Sequence, residues 1–308
     1  MVCFCLVERD YLDERVFESD FLESLMEKAP KLSKSQKKIF DFLIHNYDKS
    51  AFMTAARLGE AAGVSESTVV RFAVEIGFSG YPAFQKALKK IIQNKLTTVE
   101  RVRVADDQIG AQEDVLSRVL NLDMDKIKTT LDRVSRKDFE NAVRFIVDAK
   151  KIYIIGTGSA SVLASFVNFY FSFIFEDVRV IYTKSKSEMF EKVLNIEKGD
   201  VLIGISFPRY SSNTVQAFHY AHSNYARTIA ITDSLGSPLA AKADSVLLAQ
   251  SEMVSFVDGL VAPLSLLNAL VVAVGLCKKS EISKTFQKLE KIWEEYQVFE
   301  NSKIKRKS

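Results

Sequence analysis

Apolar residues follow two different rhythms along this chain. Between residues 21 and 96 they recur at helical spacing; beyond residue 151 short apolar runs alternate with longer amphipathic stretches. In the first region a helix is predicted to start at Ser33 or Ser35, with Ile39, Phe40, Leu43 and Ile44 inward. Two short helices follow within residues 58–81, joined by a tight turn at Gly63-Val64-Ser65, with Thr54 and Ser65 as their expected N-caps. Glycine at position 63 permits the backbone such a turn requires. In the second of these helices Val69, Phe72, Ala73 and Ile76 fall at i, i+3, i+4 and i+7 and should face a core. Gly77, Gly80 and Pro82 are expected to break the chain before a helix over residues 83–92.

Residues 97–112 show no clean apolar period and read as a linker. Residues 115–131 and 139–147 read as amphipathic helices. From residue 152 the chain alternates. IYIIG, VRVIYT, VLIGIS, RTIAIT and SVLLAQ read as buried strands, and SVLASFVNFYFSFIF, SEMFEKVLNI, TVQAFHYAHSN and PLAAKA as helices between them. This alternation predicts βαβ units and a parallel sheet covered on both faces. An apolar helix over 256–277 and a charged amphipathic one over 282–299 should close the domain.

Composition narrows the picture. The 308 residues are 47% hydrophobic and 26% charged, which suits a well-cored globular chain of two domains. A net charge of +3 argues against a non-specific coat for nucleic acid, yet residues 28–49 and 86–103 are basic stretches on either side of the helical hairpin. Three cysteines, Cys3, Cys5 and Cys277, are too few and too scattered for a disulfide framework or a zinc site, and predict a reduced, cytoplasmic chain without a metal. The apolar stretch 260–277 contains Ser, Asn and Pro263 and reads as a buried helix rather than a membrane span. The first twenty residues lack the features of a signal peptide and read as an extension.

Three segments carry candidate chemistry. Opposite its core side, the second short helix presents Ser67, Arg71 and Val74, flanked by Thr68 and Val70. A small, polar, singly basic face of this kind fits a major groove, although an ordinary helical hairpin has the same pattern. The other two segments are loops at strand ends, where open α/β sheets bind ligands. Gly156-Thr157-Gly158-Ser159-Ala160-Ser161 offers backbone N–H groups, hydroxyls and a helix N-terminus to an anion. It is neither G-x-G-x-x-G nor a Walker A loop, so a small phosphate ester fits better than a nucleotide. Ser206-Phe207-Pro208-Arg209-Tyr210-Ser211-Ser212-Asn213-Thr214 repeats the arrangement one βαβ unit later, with Arg209 able to clasp a phosphate or carboxylate. A rival reading is an aldose–ketose phosphate isomerase, whose proton transfer needs a base. His219, His222, Glu188 and Glu252 are the candidates, and the sequence supplies none of them with an activating partner. A phosphosugar-binding scaffold without DNA is a third reading.

The two loops, together with Ile231-Thr232-Asp233-Ser234-Leu235-Gly236-Ser237-Pro238 and Ala243-Asp244, resemble the sugar isomerase (SIS) domain. Residues 21–96, above all V-S-E-S-T-V-V-R-F-A-x-x-I-G-F-S-G-Y, resemble the helix-turn-helix domain of the RpiR/MurR family of bacterial regulators. The resemblance implies an all-α helix-turn-helix domain followed by an α/β domain of flavodoxin-like, doubly wound type. The expected divisions are an extension 1–20, a DNA-binding domain 21–96, a linker and connecting helix 97–127, a SIS domain 128–300 and a basic tail 301–308. It also implies a non-enzymatic regulator without a cofactor, expected to be a repressor, that binds operator DNA as a homodimer or tetramer and senses a sugar phosphate. Ser67, Thr68, Val70 and Arg71 are then the expected base readers, and Ser35, Lys37, Tyr81 and Lys86 the DNA-phosphate contacts. Ser159, Ser206, Ser211 and Thr214 are the expected ligands of the sugar phosphate, with Gly156, Thr157, Gly158 and Arg209 around them. The second loop lacks the glycine usual in SIS enzymes and carries Pro208 and Arg209 instead, a departure that fits a sensor better than an isomerase.

Overall fold

The computed structural model describes residues 32–93, 114–183, 185–253 and 257–299. The expected extension 1–20, the start of the helical region before residue 32, the linker 97–112 and the basic tail 301–308 lie outside the described residues. The chain divides into two compact units, Met1–Gly110 and Ala111–Ser308.

The first unit contains α1 (Lys34–Ser50), α2 (Ala55–Ala62), α3 (Glu66–Glu75) and α4 (Tyr81–Gln93). Ser33, not Ser35, starts α1. Gln36 N donates to Ser33 Oγ (3.4 Å) and Ser33 N donates to Gln36 Oε1 (2.9 Å), a reciprocal cap that satisfies two orphan donors. Ser35 lies inside the first turn. The predicted break at Pro82 is corrected: α4 already begins at Tyr81, because proline in a first turn withholds a donor the helix does not use. The core gathers Ile39, Leu43, Leu58, Val69, Phe72, Ala73, Ile76, Phe84 and Leu88, and all four apolar positions expected inward on α3 are buried. Phe72 meets Phe84 edge-on, with centroids 5.9 Å apart.

In the second unit α5 (Val115–Arg133) and α6 (Arg136–Val147) precede the sheet. Then come β1 (Ile152–Gly156), α7 (Ala160–Phe171), β2 (Val178–Ile181), α8 (Lys186–Val193), β3 (Val201–Ile205), α9 (Ser212–Ser223), β4 (Arg227–Thr232), β5 (Ser245–Leu248), α10 (Val261–Cys277) and α11 (Lys279–Glu295). The five strands are parallel in the order β2-β1-β3-β4-β5. Side-chain alternation divides β1, β2, β3 and β4 between two cores. Ile152 and Ile154 pack with Val167, Phe171, Leu267 and Leu270 on one face; Tyr153 and Ile155 pack with Met189, Val193, Ala217 and Phe218 on the other.

Several ends differ from the sequence expectation. PLAAKA forms only a 3-10 turn at Ala240–Lys242, α7 stops at Phe171, and α10 starts at Val261 rather than at residue 256. Pro263 sits in the first turn of α10, whose Leu266, Leu267, Leu270, Val271 and Val274 are buried. Among the described residues no single helix is long and apolar enough to cross a membrane.

Candidate functional site

Two separate places collect the chemistry, one in each unit. In the first, Thr54 caps α2 by accepting from Arg57 N (3.2 Å). Gly63 ends that helix at φ +66°, the left-handed region where a side chain is strained. Gly59 permits the approach of the turn: a Cβ there would lie 2.9 Å from the Val64 carbonyl oxygen. These two glycines fix how α3 leaves α2.

Ser65 holds the N-cap position of α3 in extended conformation but makes no side-chain cap bond. Ser65 is thus the N-cap residue expected, and its hydroxyl meets those of Ser67 (3.0 Å) and Thr68 (2.8 Å). Ser67 and Arg71 are exposed, Thr68 is half-buried, and Val70 (39%) and Val74 (54%) show apolar surface to solvent. Arg71 Nε donates to the Ser67 carbonyl (3.3 Å), so the guanidinium lies back along one turn of the helix.

Ser35, Lys37 and Lys86 are exposed. Tyr81 is not. Only 6% exposed, it donates its hydroxyl proton to the Met53 carbonyl (2.7 Å), which also accepts from Gln85 Nε2 (2.7 Å). Burial pushes the phenol pKa up to about 12. Its one proton is committed, so Tyr81 has no donor for a DNA phosphate and serves as a tether between α4 and the segment before α2.

The second place is the carboxyl edge of the sheet. The strand order reverses between β1 and β3, and Gly156 pairs with Ile205 in register, so the loops that follow these two strands flank the switch point. Gly156 is indispensable to the turn: a Cβ there would meet the Ala160 carbonyl oxygen at 2.6 Å. Thr157 is half-buried, and Gly158 takes φ +61°. Ser159 is exposed and does not cap α7; its hydroxyl donates to Asp258 Oδ2 (2.5 Å). Ser161 Oγ turns back to the Gly158 carbonyl (2.7 Å).

In the other loop Ser206 is buried and accepts from Ser211 N (3.2 Å). Ser211 caps α9 by accepting from Thr214 N (3.4 Å). Thr214 Oγ1 is buried without a partner. Arg209 is exposed and holds φ 65°, a left-handed conformation rare outside glycine, and the next residue, Tyr210, donates to Asp233 Oδ1 (2.8 Å).

The structure thus brings Gly156, Thr157, Gly158, Ser159, Ser206, Arg209, Ser211 and Thr214 to one edge. It adds two carboxylates, Asp258 and Asp233, that sequence reasoning did not assign to the site. Asp258 lies 99 residues from Ser159, and only the strand order brings the two together. Among the residues weighed as bases, His219 is half-buried and His222 exposed on α9. Glu188 accepts from Thr183 Oγ1 (2.7 Å) and pairs with Lys192 Nζ (3.0 Å), bonds that hold its carboxyl below the usual range and keep it ionised. Glu252 is exposed and accepts from Gln250 Nε2 (3.1 Å).

A helical hairpin that exposes one polar helix face, followed by a doubly wound domain with two hydroxyl loops at its switch point, defines a class of two-domain regulator. Residues 19–95 match the helix-turn-helix domain of the rpiR family, and residues 145–273 match the SIS domain. The chain is 29% identical over 225 residues to the HTH-type transcriptional regulator HexR of Escherichia coli K12, covering 73% of this chain and 75% of that one. It is 23% identical over 265 residues to the regulator RpiR of the same strain, covering 85% and 88%. Among solved structures, the sugar isomerase domain of an RpiR transcription factor from Sphaerobacter thermophilus has a TM-score of 0.56 at 23% identity, covering 58% of this chain and 99% of that one. The NanR protein of Vibrio vulnificus, solved with ManNAc-6P, has a TM-score of 0.55 at 18% identity, covering 89% and 98%. The chain belongs to the RpiR family of helix-turn-helix transcriptional regulators with a carboxyl-terminal SIS domain.

Proposed function

We propose that this regulator is a repressor that binds operator DNA through α3 and releases it when a phosphorylated sugar occupies the carboxyl edge of the sheet. The observation that carries the second half is the pairing of two hydroxyl-bearing loops at the strand-order reversal, with the buried, unpartnered Thr214 hydroxyl in the first turn of α9. That the NanR structure holds ManNAc-6P supports a sugar phosphate as the ligand class. Ser67, Thr68 and Arg71 read base edges, Val70 touches a thymine methyl, and Ser35, Lys37 and Lys86 contact phosphates. A homodimer or tetramer would present two α3 helices to a near-palindromic site, with half-sites about one helical turn apart or a multiple of that. The ligand acts by favouring one arrangement of those helices over another.

The test is fluorescence anisotropy of the full chain on a duplex selected from a random pool, with and without a panel of sugar phosphates and their unphosphorylated parents. One ester, and not its parent, should weaken DNA binding. Arg71→Ala should cost about 1–3 kcal/mol of DNA affinity. Ser211→Ala with Thr214→Ala should abolish the ester's effect while DNA binding persists. An unchanged ester response in that double variant sinks the assigned ligand site, and a ligand that tightens DNA binding sinks the direction of control.

A further inference from the structure

We propose that Val74 joins Val70 as a reader of DNA, and that the pair recognises the C5-methyl groups of two pyrimidines about two base-pair steps apart in the major groove. This rests on the reading of α3 given above and names the chemistry that one side of the helix selects.

Among the described residues of the first unit, Val70 and Val74 are the only large apolar side chains that are exposed. Both fall on the same face of the same helix. That face consists of two adjacent columns at i, i+4 spacing. Ser67, Arg71 and Glu75 form one; Glu66, Val70 and Val74 form the other, and every one of them is exposed. The fold gains nothing from the valines. Neither joins the core that takes Val69, Phe72, Ala73 and Ile76, and a β-branched residue in an exposed helix position is less favourable than alanine.

The two columns meet a base edge on different terms. Arg71 Nε already donates to the Ser67 carbonyl, and the hydroxyls of Ser67 and Thr68 each meet that of Ser65. A base edge that takes one of those protons replaces a bond already made, so the exchange adds little net free energy. The valines give up only water, and covering them with another apolar group is favourable in proportion to the area covered. A valine in a helix holds one strongly preferred χ1, so its methyls point the same way before and after DNA arrives. The apolar group that a major groove offers is the C5-methyl of thymine, and 5-methylcytosine carries the same group. Four residues of helix rise about 6 Å, close to two base-pair steps of about 3.4 Å each, which sets the spacing of the two methyls.

The test takes the duplex that the full chain selects from a random pool and replaces its thymines by uracil one at a time. Uracil lacks the methyl and keeps the hydrogen-bonding edge. Affinity is read by fluorescence anisotropy. In the wild-type chain two thymines of a half-site, about two steps apart, should each lose about 4-fold, the value of one methyl withdrawn from contact. At either position a 5-methylcytosine–guanine pair should bind tighter than a cytosine–guanine pair by about the same factor. Val74→Ala should bind thymine and uracil alike at one of the two positions and Val70→Ala at the other, each keeping the penalty at the position it leaves alone. Alanine favours an exposed helix position, so both variants should fold. Uracil tolerated at every position by the wild type overturns the proposal and leaves DNA reading by the polar column standing. Uracil penalties that persist unchanged in Val74→Ala overturn it too. A wild-type chain that selects no sequence from the pool brings down both readings at once.

Discussion

The α3 face and the sheet edge solve opposite problems. On α3 the candidate residues share one regular element, where Arg71 Nε donates one turn back to the Ser67 carbonyl. Ser67, Val70, Arg71 and Val74 reach solvent because helical period places them away from Val69, Phe72 and Ala73. At the sheet edge the candidate residues come from several connections between elements; Ser159 is bonded to a carboxylate and Ser206 and Ser211 to backbone, while Thr214 Oγ1 is buried without a partner. The first surface is organised by a core behind it, the second by hydrogen bonds within it. Damage should therefore travel differently in the two units.

The largest effect should come from emptying the core behind α3. Phe72→Ala removes a fully buried ring packed against Phe84 and should cost about 3–5 kcal/mol. The only tryptophan, Trp293, lies in α11 of the other unit. Chemical denaturation followed by circular dichroism should show an early helical loss, while the tryptophan transition stays where it was. A tryptophan transition that shifts by the same amount would mean that the two units unfold as one.

A smaller effect should come from alkali. The Tyr81 phenol is raised from about 10 to about 12 by burial. A folded-state value above the unfolded one means that the fold favours the protonated form. This contribution is complete below pH 10 and is lost as pH rises through about 12, to a total of about 3 kcal/mol. Tyr81→Phe should remove that alkaline decline and lower stability at neutral pH by about 1 kcal/mol, through loss of the bond to Met53. A variant that keeps the wild-type decline would assign it to another group.

The smallest change in stability should come from Arg209→Gly. Glycine accepts φ 65° without strain but loses more freedom on folding, so the melting free energy should move by no more than about 1 kcal/mol. Ester affinity, in contrast, should fall if the guanidinium is a ligand. Unchanged affinity would make Arg209 a bystander and leave the site to its hydroxyls.

Legibility in the sequence divides along the same line. The α3 face could be read because both its apolar and its polar positions obey one period within ten residues. The five strands could be read because buried parallel strands are short, apolar and evenly spaced. Element ends were less legible: Pro82 looked like a breaker and is a first-turn residue, and PLAAKA had a helical composition but forms a single 3-10 turn. The hydroxyl loops were visible as composition, but their bonding was not. Whether Ser159 faces a ligand or Asp258 depends on a segment 99 residues away, and whether Tyr81 faces solvent depends on a carbonyl 28 residues earlier. No local pattern encodes such a meeting; it exists only after the sheet and the helical core have formed.

The reversal of strand order between β1 and β3 has one further consequence. The crevice exists because the chain turns back there, and no particular side chain is needed to create it. Apart from Gly156, which pairs with Ile205 and has no room for a Cβ, exchanging the loop residues that rim it leaves the strand pairs untouched. A duplicated gene can thus drift toward a new chemical signal while its product goes on folding as before. The helical unit, whose candidate readers sit directly on the far side of its core residues, would give a descendant less room to change its DNA target.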